Sequence, residues 1–180
     1  DHNISLSFQG DVAATNGTNV ILPEVDPIAQ LTRRQVGVGR GYADHETLHK
    51  LLTDMGPESQ ERLAALREDE KHYTLALSNA IEDMRIENGG KILYPGMPAS
   101  IDATASQVGK QFVDEHYEEN PDIVNDRDMM LPIAITWAGR KALGYKGEWN
   151  EACLSLLPDE TRKRAEQVAD LALQLPTGAL

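Results

Sequence analysis

Residues 45–49 read His-Glu-Thr-Leu-His, with Leu48, Leu51 and Leu52 forming an apolar stripe among them. On an α-helix, side chains four apart share a face, so this spacing brings His45 and His49 together one turn apart. Both rings can then offer a nitrogen to one metal ion. Glu46 is rotated about 100° from His45, which carries its carboxylate past the ion toward a bound water, where a general base is needed. The stripe is complete without the histidines, so packing does not account for them. The competing interpretation is a helical interaction module in which the motif is coincidental and no metal binds.

A catalytic zinc ion takes three protein ligands and keeps one position open. The third donor must therefore come from another element. The stretch Asn79 to Asn88, NAIEDMRIEN, is suited to supply it. Asn79, Asp83 and Glu87 fall on one helical face at i, i+4 and i+8, while Leu77, Ile81 and Met84 point toward the core. One carboxylate of this face can bind the ion while the next accepts a hydrogen bond from a ligating histidine and fixes its tautomer. A solvated acidic face with Arg85 as counter-charge is the plainer alternative. His72 and His116 are flanked by charged residues and are expected on the surface; His2, near the start of the chain, is expected to be disordered.

The rest of the chain divides by its periodicities. Ile4, Leu6 and Phe8 alternate with polar residues, Asn16-Gly17-Thr18 offers turn chemistry, and Val20 and Leu22 alternate again before Pro23, which predicts strand, turn, strand. After Pro27 the spacing predicts a short helix over 28–36, a flexible glycine joint (Val36 to Gly41) and a helix over 42–53. That joint lacks the G-x-x-x-x-G-K spacing of a phosphate loop. A long helical run from Pro57 to Glu87 is expected to stop at Gly89-Gly90. Further helices are predicted over 101–119, 128–143 and 159–174, with breaks at Asn120-Pro121, Gly144 to Gly147 and Pro158. The expected division is a core over residues 1–90 and a helical part over 91–180 packed on the same domain.

Charge narrows the function. With 29 acidic residues against 17 Lys and Arg, the net charge is −12, and no basic stripe is present to displace counterions from phosphates, so nucleic acid is not an expected partner. No run of 18 apolar residues suggests a membrane span. The one cysteine, Cys153, lies among apolar neighbours and is expected to be a buried hydrophobe in a reducing compartment. These features point to a cytoplasmic protein. A chain beginning at Asp1 without methionine leaves room for a further segment or domain.

The pairing of HETLH with NAIEDMRIE resembles a group of H-E-x-x-H metallopeptidase-like domains. The group includes the CobT-type subunit of aerobic cobaltochelatase, relatives of the nitric-oxide-reductase accessory subunit, and phage and bacterial proteins that join such a domain to a von Willebrand factor A domain. Asn79, Asp83, Ile86 and Glu87 stand at the positions of that group's second signature, and FQGDVAATNGTNVILPEVD is similar to the hairpin preceding its active helix. The likeness covers Phe8 to Asn88. No D-x-S-x-S string of a von Willebrand factor A domain occurs in the sequence.

The resemblance implies an α+β, mostly α, zincin-like fold: an N-terminal β-hairpin or small sheet, an active-site helix, then a helical body. It implies Zn2+ held by His45, His49 and Asp83, with Glu46 as catalytic base. Glu82 competes with Asp83, because a one-residue shift exchanges them; Asp83 is preferred because it sets Glu87 one turn further on, with Asn79 one turn before, to support the ligands. The implied function is a zinc metallopeptidase acting on a peptide or protein substrate. The alternative is a non-proteolytic metal-binding scaffold in a larger assembly driven by a MoxR-type AAA+ ATPase, with a von Willebrand factor A domain as a further implied partner. Tyr42, Tyr73 and Arg85 are the available donors for a developing oxyanion, and the sequence does not choose among them.

Overall fold

The alternation near the N-terminus does form strands, but not as a single hairpin. The computed structural model describes residues 5–10, 13–16, 19–24, 26, 28, 30–68 and 72–177. His2, Ile4, the Gly17-Thr18 part of the predicted turn and Pro27 lie outside the described residues. Strands β1 (Ser5–Phe8), β2 (Ala14–Thr15) and β3 (Asn19–Leu22) form one sheet in the order β1-β3-β2. The antiparallel pair is β2 with β3, Ala14 opposite Ile21, and Asn16 Oδ1 accepts from the Asn19 amide at 2.9 Å. β1 lies parallel to β3 on its other side. The short β2 escapes a period-two reading because two residues carry no alternation.

One helix, α1 (Arg33–Leu52), replaces the predicted helix, joint and helix. A capping box starts it: the Gln35 amide donates to Thr32 Oγ1 at 3.2 Å, and the Thr32 amide donates to Gln35 Oε1 at 2.9 Å. The glycines are a crossing point rather than a joint. A β-carbon on Gly41 would lie 2.1 Å from Thr104 Oγ1 and 2.2 Å from the Ser100 carbonyl oxygen, so the bare backbone lets α1 approach the helix that carries those residues. That helix is α4 (Met97–Gln111), and Thr104 Oγ1 donates to the Val38 carbonyl at 2.8 Å across the crossing.

The run from Pro57 is two helices, α2 (Pro57–Glu68) and α3 (His72–Leu93). Gly89-Gly90 does not stop α3. Packing overrides propensity there, since a β-carbon on Gly90 would sit 2.2 Å from Met97 Cε and 2.6 Å from Leu48 Cδ2. A π-helical turn (Phe112–Tyr117) continues α4, and a 3-10 turn (Pro121–Asn125) follows the predicted break. Then come α5 (Arg127–Ala142), α6 (Glu148–Leu156) and α7 (Asp159–Leu173). α6 occupies a stretch where the sequence reading placed no element.

The fold is thus α+β and mostly α. Helix α5 lies at the centre of the larger apolar cluster, burying Met130, Ala134, Ile135 and Trp137 against Ala165, Ala169 and Ala172 of α7. A second cluster joins Leu48 and Leu52 of α1, Ile86 of α3, and Met97 and Ile101 of α4 to Leu143 and Tyr145. Both clusters combine side chains from either side of residue 90. Cys153 is buried in the first cluster, and His72 and His116 are exposed. No helix among the described residues is long and apolar enough to cross a membrane.

Candidate metal centre

Helices α1 and α3 pack side by side, so their facing turns present His45, Glu46 and His49 from one side and Asp83 and Glu87 from the other. Asp83 Oδ1 lies 3.5 Å from His45 Nε2 and 3.2 Å from His49 Nε2. One donor atom from each of the three residues lies within 4.8 Å of the other two. A tetrahedral ion with bonds of about 2.0–2.1 Å holds its donors about 3.3 Å apart, so these spacings fit one ion between the three side chains. The imidazoles stand edge to face, their centroids 4.9 Å apart.

The electrostatics also favour a cation. Burial disfavours charge on His45, yet Asp83 and then Glu87 outweigh it and hold the imidazole protonated up to about 10. Burial likewise works against ionised Asp83, and the two histidines reverse that effect, keeping the carboxyl well below the usual range. Without a metal ion, protons fill the demand for positive charge.

A second tier of side chains surrounds the triad. His45 Nδ1 is 3.2 Å from Glu87 Oε1, within ion-pair distance. Glu87 is fully buried, and Arg140 of α5 binds it, Nη2 donating to Oε1 at 2.6 Å and Nε reaching both oxygens at 3.2 Å. Burial alone would raise the Glu87 pKa; Arg140 and His45 bring it below the ordinary value. Gly139 makes this contact possible, because a β-carbon there would lie 2.1 Å from Met84 Sδ and push α5 away from α3. The Tyr145 hydroxyl is pushed up by burial and then by the charge of Glu87.

On the other side of the triad, His49 Nδ1 lies 3.1 Å from Thr53 Oγ1, and Thr53 donates to Glu82 Oε1 at 2.6 Å. Glu82 turns to Arg85, whose Nη2 donates to Oε1 at 2.6 Å. Of the two acidic residues that compete for the third position, Asp83 therefore faces both histidines, while Glu82 is engaged by Thr53 and Arg85. Asn79, one turn before Asp83, is exposed on the wall of the adjoining cleft.

That cleft has a volume of about 1000 Å³ and reaches the triad at His49 and Asp83; its walls include Ala14 and Thr15 of the edge strand β2, together with α2. Glu46 also lines it and is buried, and burial pushes its carboxyl above the ordinary glutamate range against the pull of His45 and His49. A smaller cavity of about 330 Å³ adjoins the other flank of Glu46 and His45. Tyr42 borders the small cavity and Arg85 the cleft.

The sequence reading missed Thr53 and Arg140. Thr53 follows His49 by four residues and was legible from helical spacing. Arg140 lies 53 positions from Glu87, and no local pattern marks it.

A family model described as "Cobalamin biosynthesis protein CobT" matches residues 1–171. No curated protein and no solved structure matches the chain.

Proposed function

The chain belongs to the family of the cobalamin biosynthesis protein CobT, and from that premise we propose that it is a metal-binding subunit of a cobaltochelatase-type assembly. The observation that carries the metal part is the convergence of His45, His49 and Asp83 within 4.8 Å. Two imidazoles and a carboxylate suit zinc, and the zincin-like reading of the fold belongs to the same proposal. Residues 91–180 act here as part of the unit that builds the site over residues 1–90, a reading supported by Arg140 reaching Glu87. Protein partners, an AAA+ ATPase or a von Willebrand factor A domain among them, are the expected company of such a subunit.

Each residue has a role in this reading. His45, His49 and Asp83 hold the ion; Glu87 and Thr53 set the orientation of the two imidazoles; Arg140 keeps Glu87 ionised. A bound zinc ion supplies a Lewis acid that acidifies a water molecule. The test is elemental mass spectrometry on untagged protein, comparing the parent with His49→Ala and Asp83→Ala. One zinc ion per chain, lost in both variants, is expected; a folded, metal-free parent that zinc does not reload defeats the reading.

One observation favours a second reading, a peptidase. Glu46 is 7% exposed, its pKa is raised, and it sits where the cleft meets the triad, which suits a group that takes and returns a proton. Incubation with unfolded casein separates the two readings: cleavage lost in Glu46→Gln, with zinc retained, supports the peptidase, and an inert zinc-loaded parent leaves the scaffold.

A further inference from the structure

The cavity beside Glu46 has no role in metal binding, and its lining is unlike that of the open cleft. Ile101, Ala105 and Val108 of α4 give it an apolar wall, Gly41 and Tyr42 of α1 line it, and among the described residues its charged lining is Arg140 and His45 on one side and Glu46, at the junction with the cleft, on the other. Burial grades the cavity. Ile101 and Ala105 are 2% and 4% exposed, Val108 is 39% exposed, and Arg140 is bound to the fully buried Glu87. Val108 is thus the most open of the apolar wall, and the guanidinium of Arg140 lies beside the buried Glu87.

The guanidinium is only half used. Nε and Nη2 donate to Glu87, whereas Nη1 makes no hydrogen bond among the described residues. The Arg140 side chain keeps 14% of its surface exposed, so solvent or a ligand can reach the guanidinium. Arginine carries its donors in a rigid fork, and an edge left free on a cavity wall suits a planar acceptor, above all a carboxylate. A volume of about 330 Å³ lies at the small end of the range for ligand pockets and leaves room for one amino-acid side chain with its hydrating water.

We propose that this cavity is a side-chain pocket that takes an acidic side chain with an apolar stem, of glutamate type, from a polypeptide lying in the neighbouring cleft, with Arg140 as its specificity-determining residue. The cavity and the cleft share Ala13 and Glu46, so a chain that passes Glu46 can turn one side chain inward. The stem packs against Ile101, Ala105 and Val108, and the carboxylate meets Nη1. Glutamine has the same shape and lacks the charge; lysine brings a cation against Arg140. The proposal needs neither a bound metal nor catalysis.

The test uses the whole chain with ¹³C-labelled Ile, Ala and Val methyl groups, titrated with glutamate blocked as its N-acetyl, N-methylamide derivative, and with the matching glutamine and lysine derivatives. The blocked glutamate is expected to shift the Ile101, Ala105 and Val108 methyls and to bind at least tenfold more tightly than glutamine, with or without zinc. Val108→Trp, which adds bulk at the most open part of the apolar wall, is expected to abolish those shifts while the thermal melt stays that of the parent. Arg140→Lys is expected to reduce the glutamate preference over glutamine. Equal binding of glutamate and glutamine, shifts confined to other methyls, or unchanged glutamate binding in Val108→Trp overturns the proposal. Because the same titration is read without zinc, failure of the metal site leaves this result unaffected.

Discussion

Arg140 of α5 holds the fully buried carboxylate of Glu87 on α3, Nη2 to Oε1 at 2.6 Å, and Glu87 in turn lies 3.2 Å from the Nδ1 of His45. A cation from the second half of the chain thereby holds a carboxylate beside an imidazole of the candidate metal centre in the first half. Removing one member of a buried pair strands the other charge, so Arg140→Leu is expected to cost about 3–5 kcal/mol in urea unfolding. The double variant Arg140→Leu/Glu87→Leu is expected to recover much of that loss. Additive losses would show that the pair is not coupled.

The metal-free protein should lose stability as the medium becomes alkaline. His45 has a folded pKa raised from 6.5 to about 10, so its contribution is complete below 6.5 and lost as pH rises toward about 10. Zinc must displace that proton, so its affinity should rise through the same window, by up to about tenfold per pH unit for each proton released. Melting curves of chelator-treated protein and zinc titrations at several pH values measure both effects. An apo-protein melt flat from pH 6.5 to 10 would contradict the assignment of charge to His45.

Thr53 joins His49 to Glu82, with contacts of 3.1 and 2.6 Å. Loss of such a supporting hydroxyl generally weakens a metal site by about 10–100-fold. Thr53→Val is therefore expected to bind zinc more weakly in competition with a chelator while keeping its helical circular dichroism. An unchanged zinc affinity would reduce Thr53 to a helix-end residue.

Two neighbouring glycines on α1 should respond in opposite directions. Gly41→Ala places a methyl 2.1 Å from Thr104 Oγ1 and 2.2 Å from the Ser100 carbonyl oxygen, and forced separation of α1 and α4 is expected to cost about 1–3 kcal/mol. A β-carbon on Gly39 meets nothing within 4 Å, so Gly39→Ala should gain about 0.5–1 kcal/mol from helix propensity alone. Urea denaturation of the pair decides whether the glycine stretch is a crossing or a joint. Equal stabilisation by both substitutions would favour the joint.

The sequence by itself determined what helical periodicity can carry. The i, i+4 spacing put His45 beside His49 and Asp83 in line with Glu87, and Asn120-Pro121 and Pro158 marked breaks between helices, because these are interactions within a turn or two of chain. The glycines at 37–41 and 89–90 misled for the same reason, whereas Gly144 to Gly147 did mark the break after α5. Their local preference is to break a helix, and only packing of α1 on α4, and of α3 on Leu48 and Met97, turns a missing side chain into an advantage. Register between helices was likewise hidden. The turn of α3 toward α1 separated Asp83 from Glu82, and the approach of α5 at Gly139 delivered Arg140 to Glu87. Those choices depend on side chains tens of residues apart filling one buried space, and only the tertiary structure makes them neighbours.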